Sequence, residues 1–198
     1  MAKMKKVNKK PEIKTWWVIV AIVLILALWV GGTFNSLVSR TENVEGAWAQ
    51  VETQYQRRAD LIPNLVSTVQ GFTNQEEKIL LGVTEARSAW TNSLASGSQG
   101  DQIQAAQGMD SALARLLVTV EAYPDLKSNQ NFLALQDELA GTENRVATER
   151  KRFNDAVRSL NVKVKRFPSN MIANMFGFEE GDYFEADAGT SAAPQVEF

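Results

Sequence analysis

Cysteine and histidine are both missing from these 198 residues. Without cysteine, no disulfide is available to a domain that leaves the cytoplasm, so packing alone must hold it. Without histidine, the usual zinc ligands, the Ser-His and Cys-His dyads and the commonest general base are all excluded. Only carboxylate chemistry is left to an enzyme. Its raw material is poorly arranged, since Glu143, Glu149 and Asp155 stand six apart, unlike the Glu-x-x-His pairs of di-iron bundles. The chain is therefore expected to be no enzyme and to use no metal and no cofactor. A positive surplus is lacking too: with 21 basic against 23 acidic residues and no recognisable module, nucleic acid is not an expected partner. No strand signal competes with the helical periodicity, and the fold class is all-α.

What the sequence does have is one long apolar run, Trp16 to Val30 (WWVIVAIVLILALWV), continued by the uncharged residues Gly31 to Phe34. Nineteen residues rising about 1.5 Å each come to roughly 28 Å, near the hydrocarbon thickness of a bilayer. A cleaved signal peptide is the alternative, with Val30 and Gly32 as its small-residue site. Trp16, Trp17 and Trp29 favour a retained anchor, because they form an aromatic belt at both ends of a span. A buried core helix does not fit a run with no polar face. Six lysines and one acid precede the run, whereas the next basic residues after it are Arg40 and Arg57. The positive-inside rule then places the N-terminus in the cytoplasm and everything after Phe34 on the other side.

Beyond the run, periodicity is helical throughout. Leu37, Thr41, Val44, Trp48, Val51, Tyr55, Arg58, Ile62, Leu65, Val69 and Phe72 alternate steps of four and three, a sustained heptad seam. Pro63 lies inside it; Asp60 reads as an N-cap with Pro63 in a first turn, and the unbroken phase predicts one kinked helix. On that reading Pro63→Ala is tolerated or slightly stabilising. Thr73 to Glu76 has capping-box spacing and opens a second helix bearing Ile79, Val83, Ala86, Trp90 and Leu94. Asp101 is expected to cap a third, which Pro124 ends. A fourth begins near Ser128 and carries Phe132, Leu135, Leu139, Thr142, Val146, Glu149, Phe153, Ala156 and Leu160. Arg58 falls on the seam and needs a buried acid, for which Glu143 and Glu149 are candidates.

Short connections make neighbours antiparallel, so the expected architecture is a single N-terminal transmembrane helix followed by an up-down bundle of two long and two shorter helices. Residues 34–72 and 129–166 make helices near roughly 57 Å, and 74–96 and 101–122 helices near roughly 34 Å. Four helices therefore pack distally, and only a two-helix stalk stands near the membrane. Its residues Phe34, Val38, Ala47 and Trp48 are expected to be only partly covered, which makes them a candidate oligomer contact. The same geometry delivers residues 167–178 to the bilayer surface. There Met171, Ile172, Met175 and Phe176 share one face of a short helix capped by Ser169, and Phe167 and Phe178 flank it. Residues 143–166 add eight bases against three acids. This apolar stripe with a basic flank suits either lipid or a neighbouring protein surface. The organisation reads as a basic cytoplasmic tail at 1–15, the transmembrane helix at 16–34, the bundle at 35–178 and an acidic, largely unfolded tail at 179–198.

The strings FNSLVSRTENVEGAWAQVETQYQRRADLIPNLV, VTEARSAW, YPDLKSNQNFLALQDELAGTENRVATERKRFNDAV and FPSNMIANMFGF, followed by YFEA, occur in this order over about residues 34–186. In them the chain resembles the LemA family of bacterial membrane proteins. The resemblance implies one N-terminal transmembrane helix and an antiparallel helical bundle, and it does not imply an enzyme. It also implies association with membranes, as in relatives linked to magnetosome membrane formation. Descriptions of the family that put the short N-terminus outside run against the six lysines here. The expected function is a non-catalytic, self-associating scaffold of the bacterial cytoplasmic membrane, with lipids and further copies of itself as partners. The alternative is an accessory or sensory subunit docking onto another membrane protein, such as a membrane protease.

Overall fold

The apolar run and the first heptad seam form one unbroken helix. The computed structural model describes residues 15–72 and 76–184, among which there are six helices and no strand. They are α1 (Thr15–Gln70), α2 (Glu77–Ser96), α3 (Gln99–Val120), the single turn α4 (Pro124–Lys127), α5 (Gln130–Lys165) and α6 (Ser169–Phe176). The lysine-rich residues before Thr15, Thr73 of the expected capping box and the chain after Phe184 lie outside the described residues.

Packing follows the seams. Leu37, Val44, Trp48, Val51, Tyr55, Ile62, Leu65 and Val69 of α1 are buried, as are Phe132, Leu139, Val146, Phe153 and Leu160 of α5. The two helices run antiparallel: Arg40 meets Ser159, the Trp48 ring lies 5.1 Å from that of Phe153, and Arg57 pairs with Glu138. α3 runs parallel to α1, with Gln102 opposite Trp48 and Asp110 opposite Tyr55. α2 returns between them, setting Trp90 5.1 Å from Tyr55. Because α3 begins at the level of Trp48, the four-helix region lies beyond that residue, and from Phe34 to Trp48 α1 has a thinner cover.

Local signals set most boundaries. Asn129 caps α5 by accepting the N–H groups of Asn131 and Phe132, and Pro124 starts α4, where its missing N–H costs nothing. Ser98, rather than the expected Asp101, caps α3; its hydroxyl accepts the Asp101 N–H and leaves the acid in the first turn. Glu76 precedes α2 without a side-chain cap, because its carboxylate accepts the Tyr123 hydroxyl at 2.8 Å.

Pro63 departs from expectation. It sits in the interior of α1, not in a first turn after an Asp60 cap, so an intrahelical hydrogen bond to the Ala59 carbonyl is lost. Another helix replaces it: Arg87 of α2 donates Nε–H to the Ala59 oxygen at 3.0 Å. Pro63→Ala supplies a competing N–H, so it should leave the melting temperature unchanged or slightly raised. Arg87→Ala should cost about 1 kcal/mol in the natural background and clearly less in the Pro63→Ala background. Equal costs in the two would mean that Arg87 does not act through the vacated carbonyl.

A second departure lies after α6. Gly177 adopts φ 73°, a conformation that favours glycine, and turns the chain back along α5. Asn161 then holds Gly181 through both its N–H and its C=O, each at 2.9 Å, and Asn154 holds Phe184 in the same way at 2.8 and 2.9 Å. The spacing fits: three extended residues cover about 10 Å, and seven helical residues cover about 10.5 Å. Phe184 is buried, its ring stacked against Trp48 and Tyr55, with the Arg150 guanidinium 4.2 Å from its centroid. Glu180 pairs with Lys165 at 2.6 Å and raises the pKa of that ammonium. Residues 179–184, expected to be unfolded with the rest of 179–198, therefore form a strap closing the seam between α1 and α5.

Candidate functional site

The run at the start of α1 is the one helix among the described residues long and apolar enough to cross a membrane, and almost none of it is covered. Trp16 and Trp17 are exposed and edge-on to each other at 6.4 Å, and Trp29 is also open. A core helix of a water-soluble protein would bury such a surface.

Where this helix enters the bundle, α6 packs across α1 and α5. Phe34 is the anchor, in edge contact with Phe176 at 4.9 Å and Phe178 at 5.6 Å. Ile172 and Ala173 are buried. Ser169 does not cap α6 as expected; it is buried, and its hydroxyl turns back to the Lys163 and Arg166 carbonyls at the end of α5. The expected single apolar stripe is therefore divided. Ile172 faces inward, Phe176 straddles the edge, and Met171 and Met175, one turn apart, are exposed by 61% and 64% together with Phe167 at 75%.

The stalk residues divide as well. Val38 is exposed and Phe34 and Ala47 are half-buried, but Trp48, expected to be open for a second copy, is buried within the protomer. Phe184 covers its face and Gln102 accepts its indole N–H at 2.6 Å. The strap is what the two-helix stalk lacked.

The four-helix region holds a charged cluster. Arg58, with 3% of its side chain exposed, pairs with Asp110 and with Glu143 at 2.5 Å, so one of its two expected partners is present. Glu149 instead pairs with Arg152 on the surface. Asp110 was not visible from the α1 and α5 seams, because it comes from α3. It also accepts the Tyr55 hydroxyl at 2.8 Å and an Arg150 N–H. Two guanidiniums around one carboxylate are well suited to fixing the register of three helices. Among the described residues, no group of three histidine, cysteine, aspartate or glutamate side chains could hold a metal.

The family model described as the LemA family matches residues 47–198. Magnetosome protein MamQ 2 of Paramagnetospirillum magneticum is 25% identical over 175 residues, covering 77% of this chain and 64% of the relative. Magnetosome protein MamQ of Magnetospirillum gryphiswaldense is 25% identical over 82% of this chain and 70% of its own. Protein LemA of Metamycoplasma hominis is 23% identical over 81% of this chain and 75% of its own. The chain thus spans less than two thirds of the length of the first of these relatives.

Proposed function

This chain belongs to the LemA family, and from that premise we propose that it is a non-catalytic scaffold of the bacterial cytoplasmic membrane. In this reading the lysines before Thr15 are cytoplasmic, and the bundle stands on the outer side, where it self-associates and organises membrane or partner proteins. The observation that carries it is the continuity of α1, which joins an apolar span to the longest seam of the bundle without a loop. A bundle held in this way is fixed in height and direction relative to the span. The surface left for neighbours consists of Val38, Phe167, Met171 and Met175, close to the lipid, where copies diffusing in two dimensions meet at high effective concentration.

One experiment addresses sidedness and association together. A membrane-impermeant amine cross-linker added to intact spheroplasts should modify bundle lysines such as Lys78 and Lys151 and give discrete oligomers, and Met171→Ser/Met175→Ser should shift them toward monomer. Unmodified bundle lysines would reverse the orientation. Modified monomer alone would remove self-association, and cross-links only to other proteins would favour the accessory-subunit reading.

A further inference from the structure

An open groove of about 510 Å³ runs between α1 and α5 where the apolar span meets the bundle. Its two ends differ in chemistry. Trp29 and Thr33, both inside the uncharged run, line the lower end with Phe167 from the turn after α5. Lys163 and Arg166 stand just above, followed by Arg158 and Arg40. Against these four cations the groove has one acid, Asp155, which lies 3.8 Å from Arg158. Arg40 is tied down by Ser159, to whose carbonyl it donates at 3.0 Å. No ion pair engages Lys163 or Arg166 among the described residues.

We propose that this groove binds the phosphate headgroup of an anionic phospholipid, with Lys163 and Arg166 on the phosphate and the acyl chains descending past Trp29. This rests on the membrane-anchored reading above and gives it a ligand. Charge alone would admit any anion, but the lower wall belongs to the hydrocarbon layer. A free phosphate makes no use of Trp29 or Phe167, and an acidic peptide would have to dip its backbone into lipid without partners for its N–H groups. A phospholipid carries the anion and the apolar tail in one molecule. Arg40 lies eleven residues beyond Trp29, about 16 Å along the axis and more than twice the roughly 5–8 Å of one headgroup layer, so the lower pair, Lys163 and Arg166, is the one within reach of the phosphate.

The test uses the full-length chain in detergent, offered equimolar phosphatidylglycerol and phosphatidylcholine and observed by native mass spectrometry. A basic side chain near an anionic headgroup is worth about fivefold, so with Lys163 and Arg166 both on the phosphate, phosphatidylglycerol should be retained about 25-fold over phosphatidylcholine. Lys163→Gln/Arg166→Gln should bring the two near parity, Arg166→Lys should keep most of the preference, and Lys151→Gln/Arg152→Gln, equal in charge and away from the groove, should keep all of it. Equal retention of the lipids by the natural chain overturns the proposal, as does an equal loss in the Lys151/Arg152 variant. Displacement by millimolar inorganic phosphate reduces the groove to a simple anion site. Failure here with the chain still in the membrane fraction removes only the groove, whereas a chain that leaves the membrane fraction removes the anchor itself.

Discussion

Asp110→Ala should lower the stability of the bundle by about 3–5 kcal/mol, the cost of stranding a buried charge. Arg58 keeps only 3% of its side chain in water, and without Asp110 its remaining acid is Glu143, whose own side chain is 58% exposed. Arg150 and the Tyr55 hydroxyl lose an acceptor in the same step. Urea unfolding monitored by helicity measures the loss, with unchanged slope if the transition stays two-state. The companion double variant, Arg58→Met/Asp110→Ala, should cost less than Asp110→Ala alone, because it removes the stranded cation with its counter-charge. A double variant worse than the single one would mean that Arg58 contributes by packing its stem and not by its charge.

Phe184→Ala should be the next largest loss, and it should fall in one place. Truncating a fully buried phenylalanine costs about 3–5 kcal/mol when the cavity stays closed. Here a cheaper response exists. The strap is held to α5 by Asn154 and Asn161, and if it lifts before the bundle unfolds the loss is capped at the free energy of strap docking. Amide exchange is the direct measurement: the Phe184 and Gly181 N–H groups, which donate to Asn154 and Asn161, should lose protection while the α5 amides keep theirs. Trp48 fluorescence should shift toward that of a wetter indole. Retained protection at Gly181 and Phe184 would show that the two asparagines dock the strap without the aromatic.

The helices were legible because each seam repeats a local pattern many times, so that one Arg58 or Thr142 among leucines and valines does not erase it. Even the need of Arg58 for an acid was legible, with Glu143 and Glu149 as the two candidates on α5, of which Glu143 is the partner. Three features escaped for a common reason. Asp110, the Arg87 bond to the Ala59 carbonyl and the strap all depend on groups brought together from elements distant in sequence. The rules for proline read Pro63 against its immediate neighbours, whereas its compensation comes from a helix 24 residues later. Glycine and acid in Glu179 to Asp182 read as unfolded chain because extended backbone ordinarily needs a strand partner, and here the partners are side-chain amides. The signal was present as two asparagines seven apart on a helix face, followed by an aromatic pair, Tyr183 and Phe184, in a tail rich in acid, glycine and alanine.

An unbroken α1 also makes the molecule a lever. α1 runs as one helix from Thr15 to Gln70, so in the membrane-anchored reading a lean of the span in the bilayer is carried into the bundle. Transmembrane helices lean by about 20° on average, and more where the bilayer thins. In that arrangement residues 35–70 reach about 54 Å from the end of the span, so such a lean moves the far tip sideways by roughly 18 Å. In the membrane-anchored reading a difference in membrane thickness is in this way magnified at the distal end, where α1 passes into α2 and α3 into α4.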